Sequence, residues 1–173
     1  MKAIQNWGIT LNKKLFSTKQ EKQIAEFLDW HRVSGSGARP NAPGDIAGVE
    51  WLGECKTHVT PRHKIHFDLK IWNKIAEESA SQFKQPAYFV DDGSQKINRT
   101  WVIFYAQDLS PAFRVCYRAE FCINNSVNFV SDKLQEDMTN QLQGAKQDYL
   151  VYQFRFGSRL VMLTDLNTFK EIV

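Results

Sequence analysis

The stretch Gly44-Asp45-Ile46-Ala47-Gly48-Val49-Glu50-Trp51-Leu52-Gly53-Glu54-Cys55-Lys56 decides how this chain is read. Two short runs, from Asp45 to Val49 and from Trp51 to His58, are joined through a Gly-containing turn, which predicts an antiparallel hairpin. Residues two apart on a strand share a face, so Glu54 and Lys56 emerge with Leu52 while Cys55 points the other way, into the core. Hairpin pairing carries Asp45 across from Glu54. Two carboxylates and one ammonium are then expected to meet at a strand end. Just upstream lies a loop, Val33 to Gly44, too rich in Gly, Ser and Pro to hold a regular element.

Upstream of that loop, Ile24, Phe27, Leu28 and His31 recur at helical spacing, which predicts a helix from Thr18 to His31 capped by Ser17 or Thr18. Downstream, Leu69, Trp72, Ile75, Ala76 and Phe83 define one side of a helix from about Phe67 to Phe83, and Pro86 blocks its continuation. Strands are expected over Ala87 to Val90 and Trp101 to Tyr105. The last third predicts strands at Phe113 to Phe121, Leu150 to Phe156 and Leu160 to Leu163. A polar helix is expected from Ser131 to Gln143 and a short one from Asp165. Helices alternating with strands make this an α/β chain with a mixed central sheet flanked by helices.

At 173 residues the chain suits a single domain, and a hydrophobic fraction of 43% excludes a disordered tail. Cys55, Cys116 and Cys122 are an odd set with no Cys-x-x-Cys spacing, which argues against both a disulfide framework and a structural zinc site. No apolar run is long enough for a signal peptide or a bilayer span, so the expectation is a cytoplasmic protein with no membrane partner. The net charge of +3 is uninformative, but its distribution is not. Lys2, Lys13, Lys14, Lys19, Lys22, Arg32 and Arg39 precede the acidic constellation, and Lys56, Arg62, Lys64, Lys70 and Lys74 follow it. Basic stretches flanking a carboxylate pair suit a phosphate backbone, although charged runs are also ordinary solvated surface. Lys70 and Lys74 are read as solvated.

Phosphodiester hydrolysis asks for such a set. The scissile phosphate needs a cation to neutralise it and to acidify a water, and hard ions such as Mg²⁺ or Mn²⁺ choose carboxylate and carbonyl oxygens. A neighbouring lysine orients the nucleophile or offsets charge in the transition state.

The string Pro43-Gly44-Asp45 followed by Glu54-Cys55-Lys56 resembles the signature of the PD-(D/E)xK nuclease superfamily, with Gly44 where the motif has Pro. Within it, the chain is most similar to the Holliday junction resolvases of archaeal and phage type. The parts that carry the likeness are Glu21 on a helix, the loop Ser34-Gly35-Ser36-Gly37, Asp45-Ile46 and Glu54-Cys55-Lys56. It spans roughly Thr18 to Val90 and resumes over Leu160 to Phe169. The stretch from 93 to 157 resembles nothing and is expected to be an elaboration that sets substrate choice.

The resemblance implies a restriction-endonuclease-like fold and a Mg²⁺- or Mn²⁺-dependent DNA endonuclease. Asp45, Glu54 and the Cys55 backbone carbonyl would be metal ligands, and Lys56 would support the attacking water. Glu21 has two readings: a further ligand, or the Glu of a capping box with Thr18. Ser34, Ser36, Arg39, Arg62 and Lys64 are candidate DNA contacts. A branched or junction DNA substrate cut symmetrically implies a homodimer. Competing readings are an end-processing or nicking nuclease of the same superfamily and a non-catalytic nucleic-acid-binding protein, with RNA as an alternative substrate.

Overall fold

The structure, a computed structural model, describes residues 3–35, 42–62, 64–105, 115–130, 132–134, 136 and 151–173. Helix α1 (Ala3–Leu28) opens the chain. It starts well before Thr18, so Ser17 and Thr18 lie in its interior and cap nothing. The sequence hid this start because Asn6, Gly8 and Asn12 are poor helix formers. The helix ends where Asp29 adopts φ 58° and the Trp30 N–H donates to the Ala25 carbonyl at 2.8 Å, a Schellman-type stop. His31, expected on the helix, instead belongs to strand β1 (His31–Arg32).

The decisive hairpin forms as strands β2 (Ile46–Ala47) and β3 (Trp51–Lys56), antiparallel, with Ile46 opposite Gly53. Strand β4 (Lys64–Asp68) follows. The Asp68 side chain accepts from the Lys70 N–H and caps helix α2 (Leu69–Ser81). That cap moves the helix start past Phe67, which is buried on β4, and the helix ends before Phe83. Phe83 is 99% exposed at φ 57°, against the expectation that it lines the buried side.

Strands β5 (Gln85–Asp91), β6 (Thr100–Tyr105), β7 (Val115–Ile123), β8 (Ser126–Val130), β9 (Val151–Phe156) and β10 (Arg159–Asp165) lead to helix α3 (Leu166–Lys170), capped by Asp165. Residues 132–134 and 136 are helical; most of the expected polar helix lies outside the described residues.

The main sheet has the order β1-β2-β3-β5-β6-β10-β9-β7. The β3–β5 and β7–β9 pairs are parallel and the rest antiparallel, so the chain is α/β with a mixed sheet. Within 93–157, β6, β9 and β7 are strands of this same sheet. β4 and β8 form a separate two-stranded ribbon.

Two apolar layers close the sheet. On one face Ile24, Ala25 and Leu28 of α1 and Phe169 of α3 pack with Ile46, Cys55, Phe89 and Phe104. Phe169 meets the rings of Trp30, Trp51, Phe89 and Phe104 edge-on at 5.2–6.1 Å, contacts of about 0.5–1.5 kcal/mol each beyond simple burial. On the other face Trp72 and Ile75 of α2, with Ile65 and Phe67 of the ribbon, pack against Leu52, Tyr88 and Ile103. No helix is long and apolar enough to cross a membrane among the described residues.

Candidate active site

The β2–β3 register sets the site. The last paired positions are Ile46 and Gly53, so Asp45 stands one residue beyond the paired run, on the Glu54 side. The Asp45 N–H donates to the Gly53 carbonyl at 2.7 Å, and Asp45 Oδ2 accepts from the Cys55 N–H at 2.8 Å. Gly44 stands at φ +70°, a conformation closed to proline, and its N–H donates to Glu78 Oε2 at 3.2 Å. A Cβ there would lie 2.8 Å from the Leu52 side chain. Glycine is therefore what this approach to Asp45 requires.

Glu54, 7% exposed, shares its strand face with the half-buried Lys56, whose Nζ donates both to Glu54 Oε1 and, at 3.2 Å, to the Cys55 carbonyl. Burial and the neighbouring charge of Asp45 push the Glu54 carboxyl above its usual range, while Lys56 and Lys74 pull it down. For Lys56 burial works to lower the pKa, but Glu54, by charge and by hydrogen bond, and Asp45 outweigh it. The lysine stays cationic. Asp45, Glu54, Lys56 and the Cys55 carbonyl are thus brought together.

The Cys55 side chain turns to the α1 layer. Burial first, then the charges of Asp45, Glu21 and Glu54, raise its thiol well above the ordinary cysteine value, so it is no nucleophile.

Glu21 acts by its charge on the Cys55 thiol, together with Asp45 and Glu54. It projects from α1, which packs on the opposite sheet face from Leu52 and α2, and both its oxygens are engaged. Ser17 Oγ donates to Oε1 at 2.8 Å, and Arg32 pairs with Oε2 at 2.9 Å. The capping-box reading fails, because Thr18 is inside the helix.

No family model, curated protein or solved structure matches the chain.

Three neighbours escaped the sequence reading. Lys74, expected as solvated, brings Nζ to 3.9 Å from Glu54 Oε2 and 3.4 Å from Glu78 Oε1. Its one signal is the i,i+4 spacing of Lys74 and Glu78. Gln20, fully buried on α1, donates from Nε2 to the Lys56 carbonyl at 2.9 Å and pins the end of β3. At the end of β5, Asp91 Oδ1 accepts from Thr57 Oγ1 at 2.6 Å and from the Gly93 N–H at 2.7 Å, while Oδ2 is buried with no partner among the described residues. Nothing local in the sequence announces the last two.

Of the candidate DNA contacts, Arg62 and Lys64 are exposed just beyond β3, and Ser34 is exposed in a turn. Ser36 and Arg39 lie outside the described residues. Among the described residues no group of three His, Cys, Asp or Glu side chains could cage a metal ion. The oxygens on offer are the Asp45 and Glu54 carboxylates and the Cys55 carbonyl, and three of them already accept hydrogen bonds: Asp45 Oδ2 from the Cys55 N–H, and Glu54 Oε1 and the Cys55 carbonyl from Lys56 Nζ. These hard oxygens fit Mg²⁺ or Mn²⁺, since Mg²⁺ commonly takes one or two carboxylates and completes its shell with water and phosphate oxygens.

Proposed function

We propose that the chain is a Mg²⁺- or Mn²⁺-dependent DNA endonuclease of the PD-(D/E)xK type, on a restriction-endonuclease-like fold. One observation carries the reading: a single ammonium, Lys56 Nζ, contacts both Glu54 and the Cys55 carbonyl, on the strand whose Cys55 N–H donates to the Asp45 carboxylate. A binding module has no use for a carboxylate pair that repels phosphate, with burial and Asp45 already opposing ionisation of Glu54.

Asp45, Glu54 and the Cys55 carbonyl would hold the ion. When bound, it supplies charge neutralisation at the phosphate and a more acidic water. Lys56 orients that water by donating to it, and its positive charge offsets the negative charge that gathers on the phosphoryl oxygens. Gln20 keeps the end of β3 in place. Glu21 acts at one remove by holding Arg32. Arg62, Lys64 and Ser34 contact the DNA backbone, with Ser36 and Arg39 completing the loop's share.

Branched DNA is the proposed substrate class, a four-way junction its first member, and symmetric cutting of two strands calls for a homodimer. A panel of junction, flap, nicked and linear DNA with Mg²⁺ tests this. Paired symmetric cuts in the junction support a resolvase, and stepwise shortening of linear ends identifies an end-processing enzyme instead. Binding to DNA without scission of any substrate, in Mg²⁺ or Mn²⁺, overturns the enzyme reading.

A further inference from the structure

Two cavities lie beyond the end of β3, and both are lined by His58 and Arg62. One, of about 400 Å³, reaches Lys13 and Ser17 on α1 and has Lys56 in its wall. The other, of about 610 Å³, lies against the β4–β8 ribbon and is lined by Lys64, His66 and Asn128. One therefore touches the lysine of the candidate site and the other the ribbon, with His58 and Arg62 between them.

Strand alternation builds the ribbon end of this cleft. Ile65 and Phe67 are wholly buried, so Lys64 and His66 turn outward. The antiparallel register sets Asn128 opposite His66, with His66 Nδ1 and Asn128 Oδ1 3.0 Å apart. The connecting loop is fastened by the Arg62 N–H donating to the Asp92 carbonyl at 2.6 Å. Neither Arg62 nor Lys64 has an ion pair among the described residues, and Asp92 is itself paired with Arg99 at 3.2 Å. The cleft presents the Arg62 and Lys64 cations, with the Asp92 charge felt at His58, together with two imidazole rings and an amide.

That chemistry suits a polynucleotide in one form more than another. Cations track a backbone whether it is paired or not. Imidazole faces and an amide are useful to bases that are unstacked, with their edges free. Volumes of this order are those of small-molecule pockets. Either cavity has room for a nucleotide. Resting on the nuclease reading above, and moving its first substrate from the fully paired four-way junction to a flap, we infer that the cleft grips a strand unpaired at the branch point, so that the preferred substrate is branched DNA carrying a single-stranded arm.

Fluorescence anisotropy in chelator, with a labelled single strand, the duplex of the same sequence and a flap, reads binding apart from cutting. Wild type is expected to prefer the single strand and the flap. Arg62→Ala/Lys64→Ala is expected to weaken both by about tenfold, and to flatten the salt dependence on the single strand by about 0.7 per charge removed. The duplex should suffer less, and Lys22→Ala, which removes an exposed cation paired with Glu26 on α1, should change none of the three. Affinities within twofold of wild type, an equal loss on duplex, or the same loss in Lys22→Ala would overturn the inference. Failure of the nuclease reading registers separately, as no Mg²⁺-dependent scission of the same flap.

Discussion

Asp45 Oδ2 accepts a hydrogen bond from the backbone N–H of Cys55 at 2.8 Å. The bond crosses the β2–β3 hairpin and ties the first carboxylate to the residue between Glu54 and Lys56. Displacing Asp45 therefore disturbs the strand that carries the rest of the site, and fold and site fail together or hold together at this point.

Deleting that acceptor leaves the Cys55 N–H unpaired at a position where the side chain is buried. Asp45→Ala is expected to cost about 1–2 kcal/mol of stability. Asp45→Asn keeps an oxygen at the same reach and should cost clearly less. Urea midpoints of the two variants check the ordering, and equal losses would contradict it.

Lys74 tests the electrostatics of Glu54. It lies 3.9 Å from Glu54 Oε2, and its charge lowers the Glu54 pKa, opposing burial and Asp45. On the proposed reading Glu54 acts ionised, so activity is expected to fall as pH drops through its pKa. Lys74→Met removes a lowering influence and is expected to move the acid limb of the pH–rate profile to higher pH, with Lys56 still in place. An unmoved limb would refute the coupling.

Asp91 gives the protein a pH dependence of the less usual sign. Burial, set against hydrogen bonds from Thr57 and Gly93, pushes its carboxyl up to about 6 from an ordinary 3.8. A folded-state pKa above the unfolded value means that the stabilising contribution is complete below about pH 4 and is lost as pH rises through about 6. At neutral pH the loss is on the order of 3 kcal/mol as an upper figure. Asp91→Asn lacks this titration, so its stability relative to wild type should improve between pH 4.5 and pH 7.5. Chemical denaturation at the two pH values reads the difference.

Gly53 is where packing permits no side chain. An added Cβ would stand 2.7 Å from both Ile46 Cγ1 and Phe89 Cε2, the residues that seat the hairpin on the α1 layer. Gly53→Ala is expected to cost about 1–3 kcal/mol by overpacking, and to lower activity because Glu54 is next in the chain. A thermal melt shows the first effect and a cleavage assay the second.

How much of this was legible in advance depended on whether a signal was local. The β2–β3 hairpin and the meeting of Asp45, Glu54 and Lys56 follow from two-residue alternation across one turn, so short-range reading reached them. The start of α1 did not follow, because Gly8 and two asparagines interrupt the pattern of a helix held partly by Ile24, Ala25 and Leu28 on the sheet. β4 and β8 were missed for a different reason: each is short, and each exists through a partner some sixty residues away, as the pairing of His66 with Asn128 shows. Gln20 and Asp91 are long-range in the same sense. Their roles come from Lys56 and Thr57, which no window around either residue contains.

The most direct measurement is cleavage of branched DNA by wild type and Asp45→Asn in Mg²⁺, with binding of both followed in chelator. Wild type should cut. Asp45→Asn should fold, bind the DNA as tightly or more tightly for want of a repelling charge, and cut at least 10²–10³-fold more slowly, roughly the scale of one lost electrostatic group. Cutting by Asp45→Asn at the wild-type rate, or no cutting by wild type in either Mg²⁺ or Mn²⁺, would contradict the account.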